Sequence, residues 1–208
     1  MCNVIGYHPI APEPDRAKEA FARLFREGSI RGLHAFGICA HDEPFRSFNQ
    51  DEVIERFDPT KPTIAHARYC TSGDWRVLEN NQPLVLDDVA LVFNGVIDMG
   101  TKAEMKERWD VFLSTDNDGE IFLRCLERGE DPDYFIGRIQ GSFAGCWLDG
   151  DDTLWVGRNE RRPLWRAQAY GATWYASTRD IFARAGFPMD GVKQVPVGVE
   201  QADCCDLG

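Results

Sequence analysis

Seven short runs of β-branched, aromatic and small apolar residues recur along this chain, at residues 2–7, 33–40, 63–69, 89–94, 142–148, 153–157 and 173–177, and several are apolar on both faces. A strand of that kind cannot leave one side in water, so its sheet needs cover above and below. The rest of the sequence can supply the cover. Residues 15–27 place Ala17, Ala20, Phe21, Leu24 and Phe25 on one helical face and run into Gly28, a stop signal. Residues 50–57 predict a short helix. Residues 118–128 follow a cluster of Ser, Thr, Asp and Asn, carry acidic residues in the first turn and end at Gly129. A fourth helix is expected over residues 178–185. The expected architecture is a layered α+β fold in which helices cover stacked sheets, rather than an open sandwich with one wet face.

With 208 residues, 43% of them apolar, and no Pro-, Ser- or Gly-rich linker or solenoid-length repeat, the chain is expected to form one domain over residues 1–208. No stretch approaches the roughly 20 consecutive apolar residues of a membrane helix. Residues 1–14 lack the basic start and apolar core of a signal peptide, so a cytoplasmic location is expected. The seven cysteines (Cys2, Cys39, Cys70, Cys125, Cys146, Cys204 and Cys205) are odd in number and contain no C-x-x-C pair. That argues against a disulfide framework and a zinc knuckle, and neither metal nor cofactor is expected. A net charge of -11 would repel a phosphate backbone, and the arginines are scattered, which argues against nucleic acid as a direct ligand but leaves room for a basic partner protein.

Position 2 is the first of chemical interest. A small residue directly after the initiator Met permits removal of that Met, and a new terminus at Cys2 carries a thiol and a free α-amine on one residue. The amine titrates near ~7.7–8.0 and the thiol near ~8.5, so at neutral pH the amine can take the thiol proton through water. Many chains begin Met-Cys without such chemistry, so Cys2 by itself decides nothing. In Ala65-His66-Ala67-Arg68-Tyr69-Cys70-Thr71-Ser72-Gly73, strand alternation sets His66, Arg68 and Cys70 on the face opposite Tyr69. An Arg at a strand end can hold a carboxylate through two parallel hydrogen bonds; a surface ion pair is the plain alternative. Phe93-Asn94-Gly95 closes an apolar run where the Asn amide and the following N–H could meet a developing oxyanion, yet Asn-Gly is also the commonest hairpin turn. Asp118-Gly119-Glu120 offers either a carboxylate for an ammonium group or an ordinary helix cap.

Taken in order, Cys2, Arg31-Gly32-Leu33-His34-Ala35-Phe36-Gly37-Ile38, His66-Ala67-Arg68-Tyr69, Asn94-Gly95 and Asp118-Gly119-Glu120-Ile121 resemble the glutaminase domain of class II glutamine amidotransferases. Further likenesses at Gly141-Ser142-Phe143-Ala144-Gly145, at Arg158 with Arg162-Pro163-Leu164, and at Tyr175-Ala176-Ser177 carry the resemblance over residues 2–185, with 188–208 as a C-terminal tail. The resemblance implies a four-layer αββα N-terminal-nucleophile hydrolase fold and the conversion of glutamine and water to glutamate and ammonia. It implies Cys2 as nucleophile with its own amine as base, and Asn94 with the Gly95 N–H as the oxyanion hole. Arg68 is expected on the substrate α-carboxylate, Asp118 on its α-ammonium, and Arg31 at the nucleophile end of the pocket. Thr71 and Ser72 fall at loop positions that touch substrate in relatives.

The chain also departs from the family pattern. Asn3-Val4 follows Cys2 where relatives often have Gly-Ile, and Phe93 stands where a His commonly precedes Asn-Gly. The family's Ser-Asp-x-Glu is altered to Ser114-Thr115-Asp116-Asn117-Asp118-Gly119-Glu120, which makes Asp116 a rival ammonium binder, although Asp118 keeps the better register with Glu120-Ile121. The 208 residues leave no room for a synthase domain, so the ammonia acceptor is expected on a separate partner protein. Two other readings stay open: an N-terminal-nucleophile amidase acting on a γ-glutamyl or other amide without ammonia transfer, and a catalytically inactive domain that binds or scaffolds.

Overall fold

A computed structural model describes residues 2–40, 43–70 and 73–202, so the expected substrate contacts Thr71 and Ser72, and also Cys204 and Cys205, lie outside the described residues. The elements run β1 (Asn3–Pro9), α1 (Pro14–Ser29), β2 (Ala35–Cys39), β3 (Phe45–Ser47), α2 (Gln50–Glu55), β4 (Thr63–Arg68), a 3₁₀ turn (Leu78–Asn80), β5 (Leu84–Leu86) and β6 (Val89–Val96). Then follow α3 (Lys102–Trp109), α4 (Gly119–Glu127), α5 (Pro132–Arg138), β7 (Ser142–Leu148), β8 (Leu154–Arg158), β9 (Trp165–Ala169), β10 (Ala172–Ala176), α6 (Arg179–Arg184), β11 (Lys193–Gln194) and β12 (Gly198–Gln201). One sheet has the order β11-β9-β10-β1-β4-β2-β3 and the other β12-β8-β7-β6-β5.

The two-sided apolar strands find their cover as four layers. On the outer face of the first sheet, the apolar stripe of α1 (Ala17, Ala20, Phe21, Leu24, Phe25) packs with Ile5, Tyr7 and Trp174. Phe21 stacks on Phe57 at 4.1 Å between ring centroids, and burying one such side chain is worth about 1.5–3 kcal/mol. Between the sheets, Val4, Ile64 and Tyr175 of the first meet Val92, Ala144 and Cys146 of the second. On the far side, Phe122 of α4 and Phe135 of α5 pack over Phe93, Phe143 and Trp147. This is the αββα arrangement that the sequence led us to expect.

The four expected helices and seven expected strands are all present, with ends shifted by a few residues. Helices α3 and α5 and strands β3, β5, β9, β11 and β12 were not foreseen. Asn94 and Gly95 do not form a hairpin turn: they lie inside β6, paired with Ala144 and Phe143 of β7. Among the described residues no helix is long and apolar enough to cross a membrane.

Candidate active site

Strand alternation decides which side chains enter the space between the sheets. Val4 and Ile64 pack in the interlayer core, so Cys2, two residues before Val4, and His66 and Arg68, two and four residues after Ile64, share that face. On the opposite sheet, Ala90 and Val92 pack in the same core, which puts Asn94 on the face turned toward them. Cys2, Arg68 and Asn94 thus project from two sheets into one layer. The pairing of Val4 with His66 and Asn3 with Ala67 runs on toward Cys2 beside Arg68.

The Cys2 thiol is half-buried and lies against the backbone of Tyr69, accepting from its N–H at 3.4 Å and facing its carbonyl oxygen at 3.5 Å. Burial pushes the thiol up, while the Tyr69 backbone and the Arg68 charge pull in the opposite direction. Arg31, in the loop after α1, donates from Nε to the Cys2 carbonyl at 3.5 Å. Burial lowers the Arg31 guanidinium, and the nearby Arg162 adds to that effect.

Arg68 is 4% exposed. It donates to the carbonyl of Asn80 and to Asn81 Oδ1, at 2.6 Å for the latter. Asn117 Nδ2 donates to the same Asn80 carbonyl at 3.0 Å, and Asn80 Oδ1 accepts from the Asp116 N–H at 2.9 Å. Two asparagines therefore join the end of β4 to the segment that leads into α4. His66 is enclosed, with no hydrogen bond of normal geometry at either ring nitrogen among the described residues. Burial and then Arg68 hold it down at about 3, the Phe93 backbone acting weakly the other way, so the ring is neutral at physiological pH.

Asp118 is 5% exposed and stands at the N-cap of α4, yet its carboxylate makes no cap hydrogen bond. Its Oδ2 instead accepts from the N–H groups of Ile97 at 2.6 Å and Asp98 at 3.2 Å, just beyond Asn94-Gly95. Burial raises this carboxyl to about 6 against the pull of those two donors. The adjacent glycine has a packing reason: a Cβ at Gly119 would stand 2.3 Å from the Phe93 ring. Glu120 has a different task. Burial pushes it up, but hydrogen bonds from the N–H and hydroxyl groups of Ser114 and Thr115 outweigh that and hold it below its usual range. Asp116 and Asp118 line one cavity of about 300 Å³ together with Gly73, Val96 and Asp98. The two rival carboxylates thus share a cavity, Asp118 buried and Asp116 exposed.

The Asn94 side-chain amide, although 4% exposed, makes no hydrogen bond among the described residues. The expected face shared by His66, Arg68 and Cys70 holds only as far as Arg68, where β4 ends. Cys70 lies beyond it, its N–H donated to His34 Nδ1 at 2.9 Å, and the His34 ring is stacked between Tyr69 and Trp75. Asn80, Asn81, Asn117 and His34 were missed as supporting residues. The Asn80-Asn81 pair in a polar loop and Asn117 beside Asp118 were the available signals. Among the described residues no group of His, Cys, Asp and Glu could hold a metal ion.

The chain belongs to the glutamine amidotransferase domain family: the model for that domain matches residues 66–184, more than half of its length. Two solved structures share the fold. One is glutamine phosphoribosylpyrophosphate amidotransferase from B. subtilis, complexed with ADP and GMP, at 20% identity and a TM-score of 0.64, covering 98% of this chain and 50% of that one. The other is described as the allosteric regulatory enzyme of purine biosynthesis, at 20% identity and a TM-score of 0.65, covering 98% and 49%. The chain spans about half the length of these solved relatives. No curated protein sequence matches it. The fold is that of the N-terminal-nucleophile glutamine amidotransferases.

Proposed function

We propose that this domain hydrolyses glutamine to glutamate and ammonia with Cys2 as an N-terminal nucleophile, and that the ammonia passes to an acceptor on a separate partner protein. One observation carries the reading: Cys2, Arg68 and Asn94 enter the same interlayer space from two sheets, with Asp118 held against the backbone just past Asn94-Gly95. Loss of Met1 frees the Cys2 α-amine, which takes the thiol proton through a water molecule, and the thiolate attacks the glutamine amide carbon. The tetrahedral oxyanion is received by the Asn94 amide and the Gly95 N–H. The C–N bond breaks as the amine returns its proton to the departing ammonia, and water then cleaves the thioester to release glutamate. Arg68 holds the substrate α-carboxylate and Asp118, rather than Asp116, the α-ammonium. Arg31 fixes the Cys2 carbonyl, and Thr71 and Ser72 contact substrate.

All 208 residues are assigned to one domain acting without metal or cofactor. A cytoplasmic location fits Cys2, Cys39, Cys70, Cys125 and Cys146, none of which forms a disulfide among the described residues. A chain of net charge -11 favours a partner that presents a basic or mixed-charge face. The test combines three measurements. Cys2→Ala should abolish glutamine hydrolysis and keep glutamine binding, a glutamine-like diazoketone should label Cys2 and not Cys70, and intact mass should show Met1 absent from active protein. Full activity in protein that retains Met1 overturns the mechanism, and equal turnover of an amide lacking the α-amine favours a broader amidase.

A further inference from the structure

Residues Val96, Asp98 and Met99 line both the Asp118 cavity and a second cavity of about 800 Å³. Arg108, Trp109, Arg138, Gln140, Ser142 and Arg161 line the second one. In a chain of net charge -11, three guanidiniums from separate elements meet there: Arg108 on α3, Arg138 at the end of α5, and Arg161 between β8 and β9.

Two of the three are already fixed. Arg108 pairs with Asp98, whose carboxylate is 3% exposed and also accepts from Trp109 Nε1 at 2.7 Å and the Gly100 N–H at 2.8 Å. Arg138 pairs with Glu130 and lies over the Trp109 ring, 5.0 Å from its centroid. Arg161 differs. Its side chain is exposed and touches only the Gly141 carbonyl, at 3.3 Å, with no carboxylate partner among the described residues. Three arginines against Asp98 and Glu130 leave one positive charge in excess, a local reversal of the protein's overall sign. Ser142 Oγ accepts from Arg162 Nε at 3.0 Å, which leaves its hydroxyl proton able to donate into the cavity.

We propose that this cavity binds a small molecule bearing a compact, multiply charged oxyanion, of phosphoryl or paired-carboxylate chemistry. Guanidinium forks match both geometries, arginines held by ion pairs and ring stacking lose little further freedom on binding, and the volume suits a metabolite-sized ligand. None of Cys2, Arg68, Asn94 and Asp118 lines this cavity, which distinguishes it from the pocket assigned to glutamine.

Isothermal titration of the full chain with inorganic pyrophosphate and, separately, with citrate tests this in the absence of glutamine. At least one should bind saturably at a single site, weaken with salt, and lose about tenfold or more in affinity in Arg161→Ala, the loss of a charge-assisted contact. Arg184→Ala, a surface substitution elsewhere, should bind as the unaltered chain does. Tighter pyrophosphate identifies a phosphoryl ligand, and tighter citrate a polycarboxylate. Absence of saturable binding by both, or equal losses in the two variants, overturns the proposal. Because glutamine takes no part, that failure is independent of any failure of the glutaminase reading.

Discussion

Asn3 and Gly28 are built around each other: a Cβ on Gly28 would stand 1.9 Å from Asn3 Nδ2 and 2.6 Å from Asn3 Cγ. Asn3 is wholly buried beside Cys2, and its amide has no hydrogen-bond partner among the described residues. Relatives often have Gly at this position. In this chain the last turn of α1 supplies the missing space instead. Gly28→Ala should therefore cost about 1–3 kcal/mol through overpacking, and Asn3→Gly added to it should recover most of the loss. Thermal melts of the two single variants and the double variant measure this; a double variant no more stable than Gly28→Ala would trace the loss to another cause.

Asp118 links stability to substrate binding with opposite signs. Its folded value of about 6 lies above the ordinary carboxylate value of 3.8, with burial as the main cause. The folded chain therefore binds the extra proton more tightly than the unfolded chain. Its contribution to stability is present at low pH and is lost as pH rises through the window between those two values, by roughly 3 kcal/mol for a two-unit shift. Asp118→Asn should raise the melting midpoint at pH 7 without substrate, and this advantage should shrink toward pH 4. The same change should weaken glutamine binding about tenfold or more. In the unaltered protein kcat/KM should fall as pH drops below about 6. An Asn variant less stable at pH 7 would contradict the burial argument.

Asn94→Ala should lower kcat by roughly 10²–10³, or about 2.7–4 kcal/mol, the scale of an oxyanion donor. Glutamine affinity should change less. The amide makes no hydrogen bond among the described residues, so its removal should leave the melting midpoint nearly unchanged. Steady-state kinetics beside thermal melts separate the two effects, and a variant with normal kcat would reduce Asn94 to a strand residue.

Asn80→Ala should act without touching substrate. Its side chain ties the Asp116 N–H at 2.9 Å to the Asp74 carbonyl at 3.1 Å, while its own carbonyl serves Arg68 and Asn117. We expect KM for glutamine to rise about tenfold with kcat little changed, and stability to fall by about 1–3 kcal/mol. Equal losses in kcat and kcat/KM would mean that Asn80 acts in the transition state instead.

Much of this arrangement is legible in the sequence, for definable reasons. The stripe of α1 is legible because its other face is polar and exposed, and β1, β4, β6 and β7 are legible as apolar runs because both of their faces are largely buried. Helix α3 hides its period because Met105 is its single buried residue. Helix α5 is a short piece behind Asp131 and Pro132, and its two large buried residues, Phe135 and Ile136, are adjacent in sequence and show no repeat. Strands β3 and β11 have three and two residues, too few for alternation to register. In the site, Cys2, Arg68, Asn94 and Asp118 are marked by the motifs around them. Asn80, Asn81 and Asn117 are not, since what matters about them is a partner 12 to 37 positions away in the chain. Nor could local sequence foretell that the Asp118 carboxylate turns away from its own helix to meet Ile97 and Asp98.

The placement of Asn94 and Gly95 inside β6 also limits how this chain can change in length. Turns and loops absorb an added or deleted residue at little cost, but a paired strand counts in twos. Losing Phe93, with the pairing to Ala144 and Phe143 kept at the far end, turns Ala90 and Val92 out of the interlayer core. Keeping those two in place turns Asn94 away from Cys2. Lineages of this domain should therefore vary freely in the turns that flank β6 while its own length stays fixed, with single-residue indels purged there even where substitutions are accepted.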